Sequence, residues 1–129
     1  MPDLKLAAQV AIYEVLSALP ALAPFYQHVP GETQPPYSLI GDMSTTPMGG
    51  KSGGLDRIDF EILHYVREPG REFLTPRMAA AREALEGQAL TADGVELSPP
   101  VFEGEDDGLL EDGQTYEGVQ RFSLFAQPA

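Results

Sequence analysis

The chain has 129 residues and a formal net charge of −12, from 20 acidic and 8 basic side chains. This length fits a single domain over residues 1–129, and the absence of cysteine excludes disulfides, thiolate nucleophiles and cysteine-ligated metal. The acidic balance argues against an outer surface that binds nucleic-acid backbone or anionic membrane, although a lumen lined with carboxylates would let DNA slide through without sticking.

The first predicted element is a helix over Leu4–Leu19, because its apolar side chains recur at spacings of three and four and Pro20 then ends it. This segment has no basic n-region and no uninterrupted apolar run, so we expect neither a signal peptide nor a membrane span. The proline-rich stretch that follows, ALAPFYQHVPGETQPPY, predicts a connector with a helical turn near Leu22–Tyr26. A short strand is predicted to begin at Tyr37.

The middle of the chain predicts a polar loop, a long strand and a second helix. The loop is STTPMGGKSGGLD, which is glycine-rich, lacks apolar periodicity and is expected to be mobile in the free protein. The alternating strand runs over Leu55–Arg67 and stops at a turn signal. The second helix is predicted over Phe73–Leu85, with Thr75 as its N-cap and Pro76 at its first helical position.

The last third predicts a strand pair with a long acidic connection. The first arm covers Val95–Phe102, where Pro99 and Pro100 require an edge position or a bend, and the second covers Thr115–Phe125. We interpret the acidic EGEDDGLLEDG as a solvated hairpin tip, since its spacing does not follow a calcium-binding loop. The order α-β-β-α-β-β predicts an α+β fold, an antiparallel four-stranded sheet with two main helices packed on one face.

No motif predicts a catalytic, cofactor or metal site. Lys51 and Ser52 resemble part of a phosphate loop, but Thr45 occupies a position where that motif needs glycine, and glycines follow where a helix should open. His28 and His64 are the only histidines, and we interpret His64 as a packed or interface side chain rather than a general base. The hydroxyl residues lie in no G-x-S-x-G elbow, so no enzyme is expected.

The long strand raises the question of what covers its second face. One face carries Ile58, Phe60, Ile62, His64 and Val66. The other still carries Leu63 and Tyr65, and the last strand adds Val119 and Phe125 to this mixed surface. The helices can cover one face only, and a monomer rarely leaves a large apolar patch open. Either the proline-rich connector and the acidic loop fold over the second face, or another subunit does, and identical subunits that meet head to tail close into a ring.

Five segments, in order along nearly the whole chain, resemble the tail-completion or tail-terminator family of long-tailed phages, which also occurs in phage-derived particles. They are YEVLSALPALAPF, PPYSLIGDM, IDFEILHYVRE, MAAAREALEG and DGQTYEGVQRFSLFA. The chain departs from the family where Tyr65 and Tyr116 stand at positions that are often Trp, and where SPPVFEGEDDG is more acidic and proline-rich than is common.

The resemblance implies a structural virion protein at the tail–head junction, assembled in the host cytoplasm and without a catalytic step. It implies a ring, usually a hexamer, that stops polymerisation of the tail tube and joins it to the head connector, while the genome passes through the lumen without specific binding.

The expected subunit or tube interface comprises eight residues: Met48, Lys51, Leu63, Tyr65, Arg67, Val119, Arg121 and Phe125. Two alternatives stay open at this point. One is a different neck or head-completion protein of a phage. The other is a small soluble enzyme or ligand-binding domain, which would need a concave site with convergent polar groups.

Overall fold

The computed structural model describes residues 3–49, 54–67 and 71–129, which contain two α-helices and a six-stranded sheet. The helices are α1 (Leu4–Ser17) and α2 (Arg71–Leu85). The strands are β1 (Phe25–Tyr26), β2 (Tyr37–Pro47), β3 (Asp56–Arg67), β4 (Val95–Leu97), β5 (Val101–Leu109) and β6 (Thr115–Pro128). Within the described ranges, neither helix is long and apolar enough to cross a membrane.

The sheet is centred on β3 and β6, which pair antiparallel along the whole of β3. On one side β2 pairs antiparallel with β3, and the short β1 adds in parallel to β2. On the other side both β4 and β5 pair antiparallel with β6. The α+β class is confirmed, but the expected strand count of four is wrong. The prolines at 99 and 100 divide the predicted arm into β4 and β5, since proline cannot donate to a ladder, and the connector supplies β1.

Both helices pack on one face of the sheet, as predicted. Alternate side chains of β3 are buried there against the apolar stripe of α1 and the inner side of α2. The rings of Phe60 and Phe122 stack with centroids 5.4 Å apart in this core. Helix α2 approaches β6 closely because Gly118 has no side chain, and a Cβ there would lie 2.6 Å from the sulfur of Met78.

The helix ends differ from prediction by a few residues. Asp3 is the N-cap of α1, since its carboxylate accepts a hydrogen bond from the Leu6 amide at 3.0 Å. Helix α2 already includes Arg71, so Pro76 lies inside it and Thr75 is not its N-cap. Instead, the Thr75 hydroxyl donates back to the Arg71 carbonyl at 3.2 Å, which is the usual bond of a hydroxyl side chain within a helix.

The first four residues of the polar loop predicted from Ser44 are strand. After a bulge between Ile40 and Met43, β2 continues to Pro47 and pairs with the first half of β3. Met43 also packs against the core, so this segment cannot be removed without losing part of the sheet. Cross-strand pairing with β3 decides the structure of these polar residues. Lys51 lies outside the described residues.

Residues 103–109 of the acidic segment predicted as a hairpin tip lie in strand β5. Its carboxylates have partners on neighbouring elements: Asp106 with Arg121 at 2.8 Å, Asp107 with Arg71 at 2.7 Å, Glu105 with Gln120 at 3.0 Å and Glu103 with Ser123 at 2.6 Å. The turn itself follows β5, where Asp112 accepts hydrogen bonds from the Thr115 hydroxyl and from the amides of Gln114 and Thr115. These bonds lower the pKa of Asp112 to about 2.

Candidate assembly surface

The sheet face opposite the helices, here called the outer face, carries an apolar and aromatic patch. Two neighbouring rows cross β2, β3 and β6: Leu39–Leu63–Val119 and Tyr37–Tyr65–Glu117. These side chains are half-buried by one another, whereas the helices bury the alternate residues on the other face. In the part of the chain that the structure describes, no helix covers this patch.

The patch is held in a defined shape by close contacts. Leu63 leans over the backbone of Gly41, where a Cβ would lie 2.9 Å from its side chain. The rings of Tyr37 and Tyr65 pack with centroids 5.2 Å apart, and the Tyr65 hydroxyl donates to Glu117 at 2.7 Å. Burial, together with this hydrogen bond, raises the pKa of Tyr65 above its ordinary value, so the phenol stays protonated. A preformed patch loses little side-chain entropy when a partner binds it.

The rest of the outer face is charged and forms a shallow concavity of about 340 Å³. Arg57 pairs with Asp59 at 3.2 Å, and Arg121 pairs with Asp106 on β5 at 2.8 Å. Beyond the aromatic row, Arg67 donates to Gln34 at 2.7 Å and to Thr115 at 3.2 Å. The predicted interface arginines are therefore engaged within their own chain.

The seven predicted interface residues that the structure describes fall into two groups. Leu63, Tyr65, Arg67, Val119 and Arg121 lie in adjacent rows of the outer face. Phe125 lies opposite Arg57 near the other end of β3, and Met48 follows β2 at that same end, where its amide bonds to the Leu55 carbonyl at 2.9 Å. Phe125 and Met48 are 38% and 46% exposed, so both are accessible there.

Beneath α2, a buried row of polar side chains crosses the sheet. Arg77 donates to the Ser38 hydroxyl at 3.0 Å, Ser38 bonds to His64 Nδ1 at 2.7 Å, and His64 Nε2 bonds to Gln120 at 2.7 Å. Ser38 and His64 are within hydrogen-bond distance, as in a nucleophile–base pair, but both are fully buried. His64 is thus a packed side chain, as predicted. Within residues 3–49, 54–67 and 71–129, no group of three His, Cys, Asp or Glu residues could hold a metal ion.

A family model described as "Tail completion protein gp17" matches residues 6–126 of the chain. The chain belongs to this family. Its fold is similar to that of a chain in the solved structure titled "Virion of native gene transfer agent (GTA) particle", with a TM-score of 0.88 and 22% identity. The similarity covers 98% of this chain and 99% of that one. No curated protein matches.

Membership of the tail completion protein gp17 family confirms the resemblance predicted from the five segments. It also confirms the expected class, a structural protein of the phage virion, and the expected location at the tail–head junction. The α+β architecture described above is therefore the fold of a tail completion protein.

The sequence missed the contribution of β2 to the patch of this tail completion protein. Tyr37 and Leu39 alternate with buried residues in YSLIGDM, which is a signal for the outer face. The sequence does not predict the register of β2 on β3, which places Leu39 beside Leu63 and Tyr37 beside Tyr65. That register depends on pairing between segments more than twenty residues apart.

The buried polar row makes stability depend on pH. Burial is the main cause that lowers the pKa of His64 from 6.5 to about 4, with the charge of Arg77 contributing. A histidine that is neutral in the fold but protonated in the unfolded chain destabilises the fold below its unfolded pKa. We therefore expect the free energy of unfolding to keep its neutral-pH value above pH 6.5 and to decrease by about 3 kcal/mol as the pH drops to 4.

Urea denaturation at half-unit pH steps measures this loss. In His64→Gln the free energy of unfolding should decrease less between pH 6.5 and 4 than in wild type, because the contribution of this histidine to the slope is lost. His28→Gln, at an exposed position of the connector, is the matched control and should keep the wild-type slope. An identical slope in wild type and His64→Gln would show that His64 is not the group responsible.

Proposed function

We propose that this tail completion protein acts as one domain over residues 1–129 and forms a ring at the head-proximal end of the tail tube. The ring, a hexamer by the family resemblance, ends tube polymerisation and joins the tail to the head connector without a catalytic step. The observation that carries the proposal is the patch of Leu39, Leu63 and Val119 with the neighbouring tyrosines, which remains half-exposed on the face without helices.

Burial of this patch against a second molecule is favourable because it removes apolar surface from water at about 25 cal/mol per Å². The contacts between Leu63 and Gly41 and between Tyr65 and Tyr37 already fix the patch in one copy. The ordering cost on assembly is therefore small. We assign the patch, with Arg67 and Arg121 at its borders, to the contact between subunits or between the ring and the tube.

A ring needs two different surfaces on each copy, because a contact between identical patches closes a dimer instead. The two long edges of the sheet differ in this way. The edge at β5 carries Glu105, Asp106 and Asp107, so two copies of that edge would set carboxylates against each other. The edge at β2 beyond Asp42 is neutral, with serine and threonine. This asymmetry supports a head-to-tail arrangement.

The charge of the chain suits a channel for the genome. The net charge is −12, and the outer face adds Asp59 and Glu61 to the acidic edge. DNA would be repelled by such a lumen and would pass without specific binding. Met48 and Lys51, in the segment that joins β2 to β3, are proposed to contact the tail tube or the connector.

Deleting the gene from the phage or phage-derived particle that encodes this protein tests the proposal. The expected particles have tail tubes longer than wild type and heads without tails, because nothing ends the polymerisation or joins the two parts. Adding the purified protein to polymerising tube protein should restore a defined length, as measured by electron microscopy. Tubes of wild-type length on unjoined heads would contradict termination and would favour the alternative of another neck protein.

A further inference from the structure

Helix α1 carries a second apolar stripe beside the one that packs in the core. Leu6 and Val10 are 54% and 41% exposed, and at a spacing of four they are neighbours on one face of the helix. The adjacent stripe of α1 already buries Ile12 and Leu16 in the core. The fold of one copy therefore buries one stripe of this helix and leaves the other exposed.

The second stripe borders a groove between α1 and the segment 91–95 that leads into β4. The groove has a volume of about 500 Å³, within the range of sites that hold a ligand or a short segment of a partner. Its apolar lining includes Leu6, Val10, Ala92 and Val95, and its acidic rim consists of Asp3, Glu14 and Asp93. An apolar floor with carboxylates around it fits an apolar segment that is flanked by positive charges.

A second copy of this chain is poorly suited to supply those charges. The exposed or half-buried arginines on its described elements are engaged in ion pairs of their own chain: Arg57, Arg67, Arg71, Arg82 and Arg121. The remaining arginine, Arg77, is buried. Of the two lysines, Lys5 is exposed on α1 next to Leu6, and Lys51 lies outside the described residues. Charge complementarity therefore favours a different protein as the occupant.

We propose that the groove beside α1 binds an apolar segment, flanked by lysine or arginine, of another virion protein. The proposal rests on the proposed function only for the origin of the partner, because a tail completion protein at the junction must contact at least one protein that is not a copy of itself. The groove and the outer-face patch are separate surfaces, one on the helix layer and one on the bare face of the sheet.

A synthetic amphipathic peptide of leucine and lysine, with leucines at spacings of three and four, is the probe. Titrated into the isotope-labelled protein, it should shift the NMR signals of Leu6, Val10 and Ala92 most strongly. A matched peptide with glutamate in place of lysine should bind at least tenfold more weakly. The double variant Leu6→Ser with Val10→Ser should also weaken binding of the lysine peptide by roughly tenfold, since two apolar contacts are lost.

Val101→Ser, an equally exposed apolar side chain on β5, is the matched control and should leave binding unchanged. Equal affinity for the two peptides, or shifts centred on another surface, would overturn the proposal. A lower particle mass of the Leu6/Val10 variant in sedimentation would overturn it too, because the occupant would then be a second copy. A variant of the outer face that fails to assemble but binds the lysine peptide leaves the groove proposal intact, so the two failures are distinguishable.

Discussion

Replacing Arg77 with alanine is expected to lower the free energy of unfolding by roughly 4 kcal/mol, because several buried acceptors lose their donor at once. Its guanidinium donates to the Leu22 carbonyl at 2.9 Å, to the Ala23 carbonyl at 3.3 Å and to the Ser38 hydroxyl at 3.0 Å. These bonds tie α2 to the connector and to β2. Burial lowers the pKa of Arg77, which reflects what it costs to hold this cation inside the fold.

Denaturation in urea at pH 7.5, where His64 is neutral in both states, measures the effect without interference from the histidine. Arg82→Ala is the matched control, since it removes the same side chain from an exposed position of the same helix. Arg82 pairs with Glu86 at 3.1 Å and lies 3.9 Å from the ring centroid of Phe102, so its loss should cost about 1 kcal/mol or less. Equal losses in the two variants would refute the role of the buried contacts.

The sequence predicts well the buried faces of strands and helices that follow from the local spacing of apolar residues. Alternation along β3 assigns Ile58, Phe60 and Ile62 to the buried face, because side chains of a strand point to opposite faces in turn. The stripe of α1 that meets the core follows in the same way from a helical period. Leu63 and Val119 are correctly expected on one surface, and the structure makes them direct neighbours across β3 and β6.

What the sequence does not predict depends on partners that are distant along the chain. The carboxylates Asp106 and Asp107 favour a solvated loop when considered alone, yet Arg121 and Arg71 pair with them and help to hold β5 in the sheet. The extension of β2 to Pro47 likewise depends on β3. Local propensity is a weak guide to strands for this reason, since packing against neighbouring strands decides the outcome.

The sequence contains the apolar residues of the second stripe of α1, but a helical period predicts only one buried face and does not separate the two stripes. Leu6 and Val10 interleave with the core positions Ala8 and Ile12, so they can be taken for part of a single broad stripe. Only the packing of α1 on the sheet shows which residues stay exposed. The groove beside them also requires segment 91–95, more than seventy residues further along the chain.

Replacing Leu63 with aspartate is expected to abolish assembly while leaving a folded monomer. Leu63 is at the centre of the outer-face patch, between Leu39 and Val119, so a carboxylate there would be desolvated without a partner in any contact that covers the patch. Such a charge costs several kcal/mol at an interface. In the free chain the position is only half-buried, so the fold should lose about 1–2 kcal/mol and remain stable.

Circular dichroism and urea denaturation establish that Leu63→Asp is folded, and light scattering gives its particle mass with and without tail tubes. Because the ring can form either freely or only on a finished tube, co-sedimentation with tubes is measured as well. Phe73→Asp introduces the same charge at an exposed apolar position of the helix layer and should retain wild-type mass and tube binding. If Leu63→Asp kept wild-type particle mass and tube binding, the outer face would not be an assembly contact. The half-exposed apolar patch on this face would then need another explanation.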